Sequence, residues 1–124
     1  MSKNGCKVLV VDDDPDSRGA MQVLLEQQGY VAAEAANGAE AVALLERGLD
    51  PDLILTDLVM PVMSGWDLCE ELKRMPGWRA IPLIVLCGMT AEQRGQLQVD
   101  DAFEKPTDFD KLFERIGELC GLRP

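Results

Sequence analysis

The sequence predicts an α/β fold, in which a parallel sheet carries helices on both faces. Short apolar runs rich in Val, Ile and Leu alternate with longer segments in which apolar residues recur three and four positions apart. The short runs are continuously apolar, as in strands that are buried on both faces. The 124 residues, 47% of them hydrophobic, match one ordinary globular domain. We therefore expect a single domain over residues 1–124, with a doubly wound five-stranded sheet.

Five strands are predicted, and a helical segment follows each of them. The predicted strands are Lys7–Val11, Val31–Ala35, Leu53–Asp57, Pro82–Cys87 and Asp101–Glu104. The predicted helices are Asp16–Gln28, a helix from a cap at Asn37 to a stop at Gly48, Gly65–Met75, a short polar helix at Thr90–Leu97, and a last helix after Thr107 or Asp108. Glu40 would complete a capping box with Asn37. The expected buried face of the last helix is Leu112, Phe113, Ile116 and Leu119.

Charge and hydropathy exclude several functional classes. Asp and Glu number 22 against 12 Lys and Arg, which gives a net charge of -10. Such a field repels nucleic-acid phosphates and anionic lipids, so we expect no direct binding to nucleic acid or membranes. No apolar run approaches the ~20 residues that span a bilayer, and the start of the chain is acidic too soon for a signal peptide. A cytoplasmic location is therefore expected.

The cysteines and the absence of histidine narrow the chemistry further. Four cysteines, Cys6, Cys69, Cys87 and Cys120, are scattered along the chain without a CxxC pair, and there is no His. This spacing offers no zinc site, and Ser-His or Cys-His catalysis is excluded. We expect all four cysteines to be reduced thiols, most of them packing residues. Any chemistry must then depend on carboxylates, a Lys, backbone amides or a metal.

Charged residues stand at the ends of three predicted strands. Asp12 and Asp13 follow the first strand, Asp57 ends the third, and Lys105 follows the fifth. The carboxyl ends of parallel strands meet at one edge of the sheet, so these side chains should converge. Two carboxylates about 5 Å apart repel by roughly 3 kcal/mol at an effective dielectric near 20, which favours a divalent counter-ion. Mg²⁺ suits few carboxylates together with a phosphate oxygen, so the pattern indicates phosphoryl transfer to a carboxylate.

Two backbone amides near the strand ends are placed to bind an anion, whereas four further acids have structural interpretations. The backbone amides near Leu58 and Gly88 are placed to donate to an anion. Four further acids are interpreted as helix caps or solvated turn residues, namely Asp14, Asp16, Asp50 and Asp52.

Four segments resemble the receiver domain of bacterial two-component response regulators. They are VLVVDDDPDSR, DLILTDLVMPVMSGWDL, IPLIVLCG and EKP. The resemblance extends over essentially the whole chain. The resemblance implies a flavodoxin-like (βα)5 fold with strand order 2-1-3-4-5. It also implies a module that catalyses only its own phosphorylation and dephosphorylation, and so is not an enzyme acting on other substrates.

The resemblance assigns roles to individual residues. Asp57 would accept a phosphoryl group from a histidine kinase or phosphotransfer protein. Asp12, Asp13 and Asp57 would bind Mg²⁺ together with the main-chain carbonyl of Val59. Lys105 would contact the phosphoryl group through a cis Lys105–Pro106 bond. If the chain is complete, a downstream protein would dock on the last-helix face of a monomer or weak dimer.

Three departures from the family pattern concern the conformational switch. Cys87 stands where the family has Thr or Ser, and a thiol is a weaker hydrogen-bond donor. Ala102 stands where the family has Tyr or Phe, while Phe103 should point to the opposite face and pack in the core. Lys105 follows Cys87 by only 18 positions, which predicts a shortened fourth helix.

Two hypotheses concern the lifetime and the chemistry of the site. Val59 and Met89 occupy positions that affect the attacking water in the family, and neither side chain orients water by a hydrogen bond. This predicts slow self-dephosphorylation, which decay of the acyl phosphate would measure. Cys87 beside Lys105 is either a redox-sensitive thiol or a small hydrophobic residue that fills the space of a Thr.

Two other functions remain open at this stage. A phosphorylation-independent interaction domain is favoured by Cys87 and Ala102, but the intact acids and Lys105 disfavour it. A small metal-dependent phosphatase is suggested by Asp12 and Asp14 as a DxD pair, but the chain lacks the length and the Ser or Thr that such enzymes need. The sequence does not identify the kinase, the output, or whether an effector domain follows Pro124.

Overall fold

The predicted strands and helices are present in the described parts of the chain. The computed structural model describes residues 6–57, 65–86, 92, 99–103 and 108–121. Its strands are β1 (Lys7–Val11), β2 (Val31–Ala35), β3 (Leu53–Thr56), β4 (Leu83–Val85) and β5 (Asp101–Ala102). Its helices are α1 (Pro15–Gln27), α2 (Gly38–Glu46), α3 (Gly65–Arg74) and α4 (Phe109–Gly121). The shortened helix expected at 90–97 lies outside the described residues except for residue 92.

The five strands form one parallel sheet in the order β2-β1-β3-β4-β5, which confirms the predicted fold class and strand order. The ends of the strands are in register. Val11 pairs with Ala35 on one side and Thr56 on the other, and Val85 pairs with Thr56 and Ala102. The residues that follow these five positions therefore lie along one line, which we call the carboxyl edge. The opposite edge, where the strands begin, is the amino edge.

Two apolar cores lie on the two faces of the sheet. Successive residues of β1 alternate between them, because side chains of a strand point to opposite faces. The first core includes Leu9 and Val11 and is covered by α2 and α3, while the second includes Val8 and Val10 and is covered by α1 and α4. No helix within the described ranges is long and apolar enough to cross a lipid bilayer.

The limits of α2 follow the predicted sequence signals. The Asn37 side chain accepts a hydrogen bond from the Glu40 amide at 2.9 Å and caps the helix. The Glu40 carboxylate accepts from the Ala36 amide at 3.1 Å, one residue before the position expected for a capping box. Gly48 follows the helix with φ of 105°, a conformation that favours glycine.

The expectation of four reduced cysteines is wrong for two of them. Cys6 and Cys120 form a disulfide, although 114 positions separate them in the sequence. The fold brings together the start of β1 and the last turn of α4, and such proximity leaves no local sequence signal. Cys69 is a free, buried packing residue in the first core, as expected. Cys87 lies outside the described residues.

Ala102 and Phe103 lie on opposite faces of the sheet, as their alternation predicts. Ala102 packs against the first core and Phe103 against the second. Both side chains are partly exposed. Receiver domains are expected to have an aromatic residue where Ala102 stands. The ring of Phe103 does not replace it, because Phe103 lies on the other face of the sheet.

Candidate functional site

The backbone at the carboxyl edge brings Asp12 and Asp57 side by side. The Asp12 amide donates to the Ala35 carbonyl at 3.1 Å, and the Asp57 amide donates to the Val11 carbonyl at 3.0 Å. The hydrogen-bond ladder of the sheet thus continues one residue beyond β1 and β3. Adjacent strands lie about 4.8 Å apart, so two acids at this register become neighbours.

Three carboxylates meet at this point. Asp12, Asp13 and Asp57 each have an oxygen within 4.8 Å of the others. Asp12 is only 7% exposed, Asp57 is partly exposed, and Asp13 is exposed. The cluster is therefore closed on the side of the core and open on the side of the solvent. This confirms that the fold brings together the three acids predicted to lie close to one another.

The donor set of this cluster fits a magnesium ion. Mg²⁺ takes oxygen ligands at about 2.1 Å, so oxygens on opposite sides of the ion lie about 4.2 Å apart. The oxygens of the three acids lie within 4.8 Å of one another, near enough for side-chain rotations to bring them around one ion. The exposed position of Asp13 leaves one side accessible to the waters that Mg²⁺ retains.

Asp14 has a structural role at the start of α1. Its carboxylate accepts hydrogen bonds from the Asp16 amide and the Ser17 hydroxyl, each at 3.0 Å. The Asp14 amide in turn donates to Oδ1 of Asp12 at 3.0 Å. Asp14 is thus the predicted helix cap, and it also holds the Asp12 carboxylate against the turn.

Arg18 is a site residue that the sequence reasoning missed. Its Nη1 donates to the Asp12 carbonyl at 2.8 Å, and its Nε donates to Oε1 of Glu34 at 3.0 Å. The Arg18 side chain is only 19% exposed. It therefore joins α1 and β2 to the strand end that carries Asp12. A basic residue so near a helix N-terminus, where acids are favoured, was the available signal.

Thr56, like Asp12, is a buried polar residue, and it directly precedes Asp57. It is fully buried, and its hydroxyl donates to the Asp57 carbonyl at 2.8 Å. The Thr56 carbonyl accepts from the Leu86 amide at 2.9 Å, which extends the pairing of β3 and β4 to the carboxyl edge. These bonds fix the backbone on both sides of Asp57.

The other predicted site residues lie outside the described part of the chain. These are Leu58, Val59, Cys87, Gly88 and Lys105, together with Met89 and Pro106. Their expected roles stay predictions.

Comparisons with known proteins agree with this geometry. The family model of the response regulator receiver domain matches residues 8–117. The transcriptional regulatory protein ResD of Bacillus subtilis is 37% identical over 122 residues, covering 94% of this chain and 48% of ResD. The chain therefore spans about half the length of that relative.

Two solved structures are close in both sequence and fold. The signal receiver domain of a signal transduction histidine kinase from Syntrophus aciditrophicus is 32% identical, with a TM-score of 0.85, covering 96% of this chain and 93% of that one. The response regulator protein TrrA from Thermotoga maritima, in complex with Mg²⁺-BeF, is 30% identical, with a TM-score of 0.77, covering 91% and 97%. With its sheet order, its edge of three acids and the match over residues 8–117, the chain belongs to the response regulator receiver domain family.

Proposed function

We propose that this receiver domain is a magnesium-dependent phosphoacceptor of a two-component system. The Asp57 carboxylate takes a phosphoryl group from the phosphohistidine of a histidine kinase or phosphotransfer protein. The observation that carries the proposal is the cluster of three carboxylate oxygens within 4.8 Å at the carboxyl edge. Three carboxylates this close together, one of them buried, are stabilised when a cation binds between them.

The transfer needs Asp57 as the nucleophile and its neighbours as a fixed frame. An Asp57 oxygen attacks phosphorus, the new P–O bond forms, the P–N bond to the imidazole breaks, and the imidazole nitrogen keeps the electron pair. The hydrogen bonds of the Asp57 amide and carbonyl fix the backbone that carries this carboxylate. Because these bonds exist before the donor arrives, little reorganisation is needed.

Asp12, Asp13 and Asp57, with the Val59 carbonyl, are the groups that would hold Mg²⁺. When bound, the ion supplies positive charge against the carboxylates and the phosphoryl oxygens. The acid cluster supports the three carboxylate ligands, and the Mg²⁺-BeF complex of the similar TrrA structure supports magnesium binding at such a domain. Arg18 acts on the site through Asp12, whose carbonyl it holds, and is a positioning residue.

Four further residues belong to the proposal through their matching motif positions. Lys105 would contact the phosphoryl oxygens, and the amides of Leu58 and Gly88 would donate to them. Cys87 would occupy the position of the switch hydroxyl, where its weaker donor strength reduces the pull of the phosphoryl group. The downstream partner would dock on the face of α4, and the domain would act in the cytoplasm.

Intact-mass measurement after treatment with acetyl phosphate and Mg²⁺ tests this function. We expect the mass of the wild type to rise by one phosphoryl group, and EDTA to prevent the gain. Asp57→Asn should take up none. Asp50→Asn is the matched control, because it makes the same chemical change at an exposed carboxylate before β3, and it should behave like the wild type. A gain of mass in Asp57→Asn would contradict the assignment of the acceptor.

A second candidate function is a phosphorylation-independent interaction domain. The position of Ala102 favours it, because the small side chain packs against the first core and offers no aromatic ring that changes position on activation. This function predicts no mass gain with acetyl phosphate in a folded wild type. It also predicts that partner binding is the same for the wild type and Asp57→Asn.

A further inference from the structure

The disulfide between Cys6 and Cys120 lies at the amino edge, away from the acid cluster. Cys6 directly precedes β1, and Cys120 lies in the last turn of α4, with their Cα atoms 6.4 Å apart. Both residues are partly exposed and pack against the rim of the second core. They are therefore accessible to a small thiol or disulfide in solution.

Cys69 provides an internal contrast to this pair. It is 1% exposed in the first core, and desolvation raises the pKa of its thiol to about 12. Exchange needs a thiolate that can reach a sulfur of a disulfide. The raised pKa keeps the Cys69 thiol protonated, and its burial keeps it from reaching a disulfide in solution. Among the described cysteines, Cys6 and Cys120 are therefore the two that can exchange.

Within the described residues, the bridge acts together with apolar packing and the contacts of Arg115 to hold α4 on the sheet. Leu112, Ile116 and Leu119 pack in the second core. Arg115 pairs with Asp101 at 3.1 Å through side chains that are 34% and 25% exposed. A pair this exposed contributes little, so the last turn depends on Leu119 and on the bridge.

We propose that Cys6 and Cys120 are a thiol–disulfide modification site whose redox state sets how firmly the end of α4 is held on the sheet. The oxidant class is a low-molecular-weight disulfide such as glutathione disulfide. On closure, the two cysteine thiols lose two protons and two electrons to form the S–S bond, and one glutathione disulfide becomes two glutathione thiols. The reverse exchange opens the bridge.

Two observations favour a reversible site over a permanent crosslink. Exposed disulfides are attacked by thiols more readily than buried ones, and both sulfur-bearing residues are partly exposed. In the proposed cytoplasmic location, disulfides that form at all are usually transient or regulatory. The inference does not depend on phosphorylation of Asp57, because the pair lies at the other edge of the sheet.

Opening the bridge should be visible as a loss of stability. A crosslink that closes a long loop restricts the unfolded chain most, and this one spans 114 positions. For a domain of this size we expect the melting temperature to fall by about 10 °C on reduction. Amide exchange should also become faster in the last turn of α4 than in β1 or β3.

The test equilibrates the whole chain in mixtures of reduced and oxidised glutathione, from all thiol to all disulfide. Acid quenching, alkylation and intact mass then report the closed fraction at each mixture, and the melting temperature is measured on the same samples. We expect the closed fraction to rise with the share of oxidised glutathione and the melting temperature to rise with it. A bridge that stays closed in every mixture, or never closes, would overturn the proposal.

Variants separate this pair from the other cysteines. In the double variant Cys6→Ser/Cys120→Ser the redox-dependent shift in melting temperature should disappear. Cys69→Ala should keep the redox transition, as should Asp57→Asn. Because the mass readout counts thiols whether or not a variant is folded, an unstable variant still gives a result. A shift that persists in the double variant would overturn the proposal without affecting the proposed phosphoacceptor function.

Discussion

The two ends of β1 differ in the interactions that hold them. At the amino edge, Cys6 is bonded to Cys120, and the Lys7 amide donates to Oδ2 of Asp52 at 2.8 Å while the Lys7 carbonyl accepts from the Asp52 amide at 2.7 Å. At the carboxyl edge, the same strand ends in Asp12, which lies within 4.8 Å of two other acids. One end is crosslinked and paired, whereas the other brings three carboxylates close together.

The comparison shows that the unfavourable electrostatic interactions lie at the carboxyl edge, where three carboxylates meet. Like charges that converge lower the stability of the domain, and the structure offsets the loss with backbone bonds and with contacts elsewhere. We therefore expect the loss of a buried apolar side chain at the amino edge to destabilise the domain. Substitutions in the acid cluster should stabilise it while they remove function.

The largest expected effect is in the core at the amino edge. Leu53 begins β3 and is fully buried in the second core. Leu53→Ala should lower the free energy of unfolding by about 2–5 kcal/mol, because it loses buried apolar surface and leaves a cavity. Urea denaturation measures the change. Val31→Ala, at the 47% exposed first residue of β2, is the control and should change stability by less than about 1 kcal/mol.

Removing one negative charge from the carboxyl edge should raise the free energy of unfolding, whereas Leu53→Ala lowers it. Asp57→Asn should raise the free energy of unfolding by about 1–2 kcal/mol in EDTA at low salt, because it relieves repulsion with Asp12. Asp50→Asn removes the same charge outside the cluster and should not produce this rise. Destabilisation by Asp57→Asn would mean that the charged carboxylate makes favourable contacts that exceed the repulsion.

Bound Mg²⁺ should reduce the repulsion among the carboxylates at the carboxyl edge and so stabilise the folded domain. A ligand that binds the folded state stabilises it in proportion to the logarithm of its concentration over the dissociation constant. Added Mg²⁺ should therefore raise the melting temperature of the wild type. Asp13→Asn should weaken Mg²⁺ binding about tenfold, which is about 1.4 kcal/mol, so that higher concentrations are needed for the same rise. An unchanged titration would show that Asp13 is not a ligand.

The smallest expected change in stability comes from the buried hydroxyl of Tyr30, near the amino edge. Tyr30 is 3% exposed, and its buried hydroxyl has no hydrogen-bond partner among the described residues. Tyr30→Phe should raise the free energy of unfolding by about 1 kcal/mol, because it removes an unsatisfied buried group. Leu53→Ala provides the destabilising reference in the same denaturation series.

The pH dependence of this variant has a definite sign. Burial raises the pKa of Tyr30 from 10.0, so the neutral hydroxyl is favoured in the folded state. Above pH 10 the unfolded chain releases this proton first, and the wild type therefore loses stability as the pH rises. The stability difference between Tyr30→Phe and the wild type should widen there. A constant difference from pH 8 to about 11 would contradict the burial of an ionisable hydroxyl.

Local sequence patterns were enough to predict the sheet and the meeting of three acids at its carboxyl edge. Continuous apolar runs predicted β1, β3 and β4, and the parallel register then placed Asp12 beside Asp57. The other two strands, β2 and β5, each contain an acidic residue. The Asn37 cap is also a local signal. The contact of Arg18 with the Asp12 carbonyl depends on the position of α1 over the sheet, and the Cys6–Cys120 bond depends on closure of the whole fold. The spacing of residues along the chain gives neither the position of α1 over the sheet nor the approach of Cys6 to Cys120.

The distance of 6.4 Å between the Cα atoms of residues 6 and 120 has an architectural consequence. A short peptide would join these two points, so the order of the elements along the polypeptide can be permuted without moving any of them. The exposed turn at Gly48 is a suitable place for new ends, since it follows α2 and carries no buried side chain. A circularly permuted chain opened there would still bring the three acids into the same register.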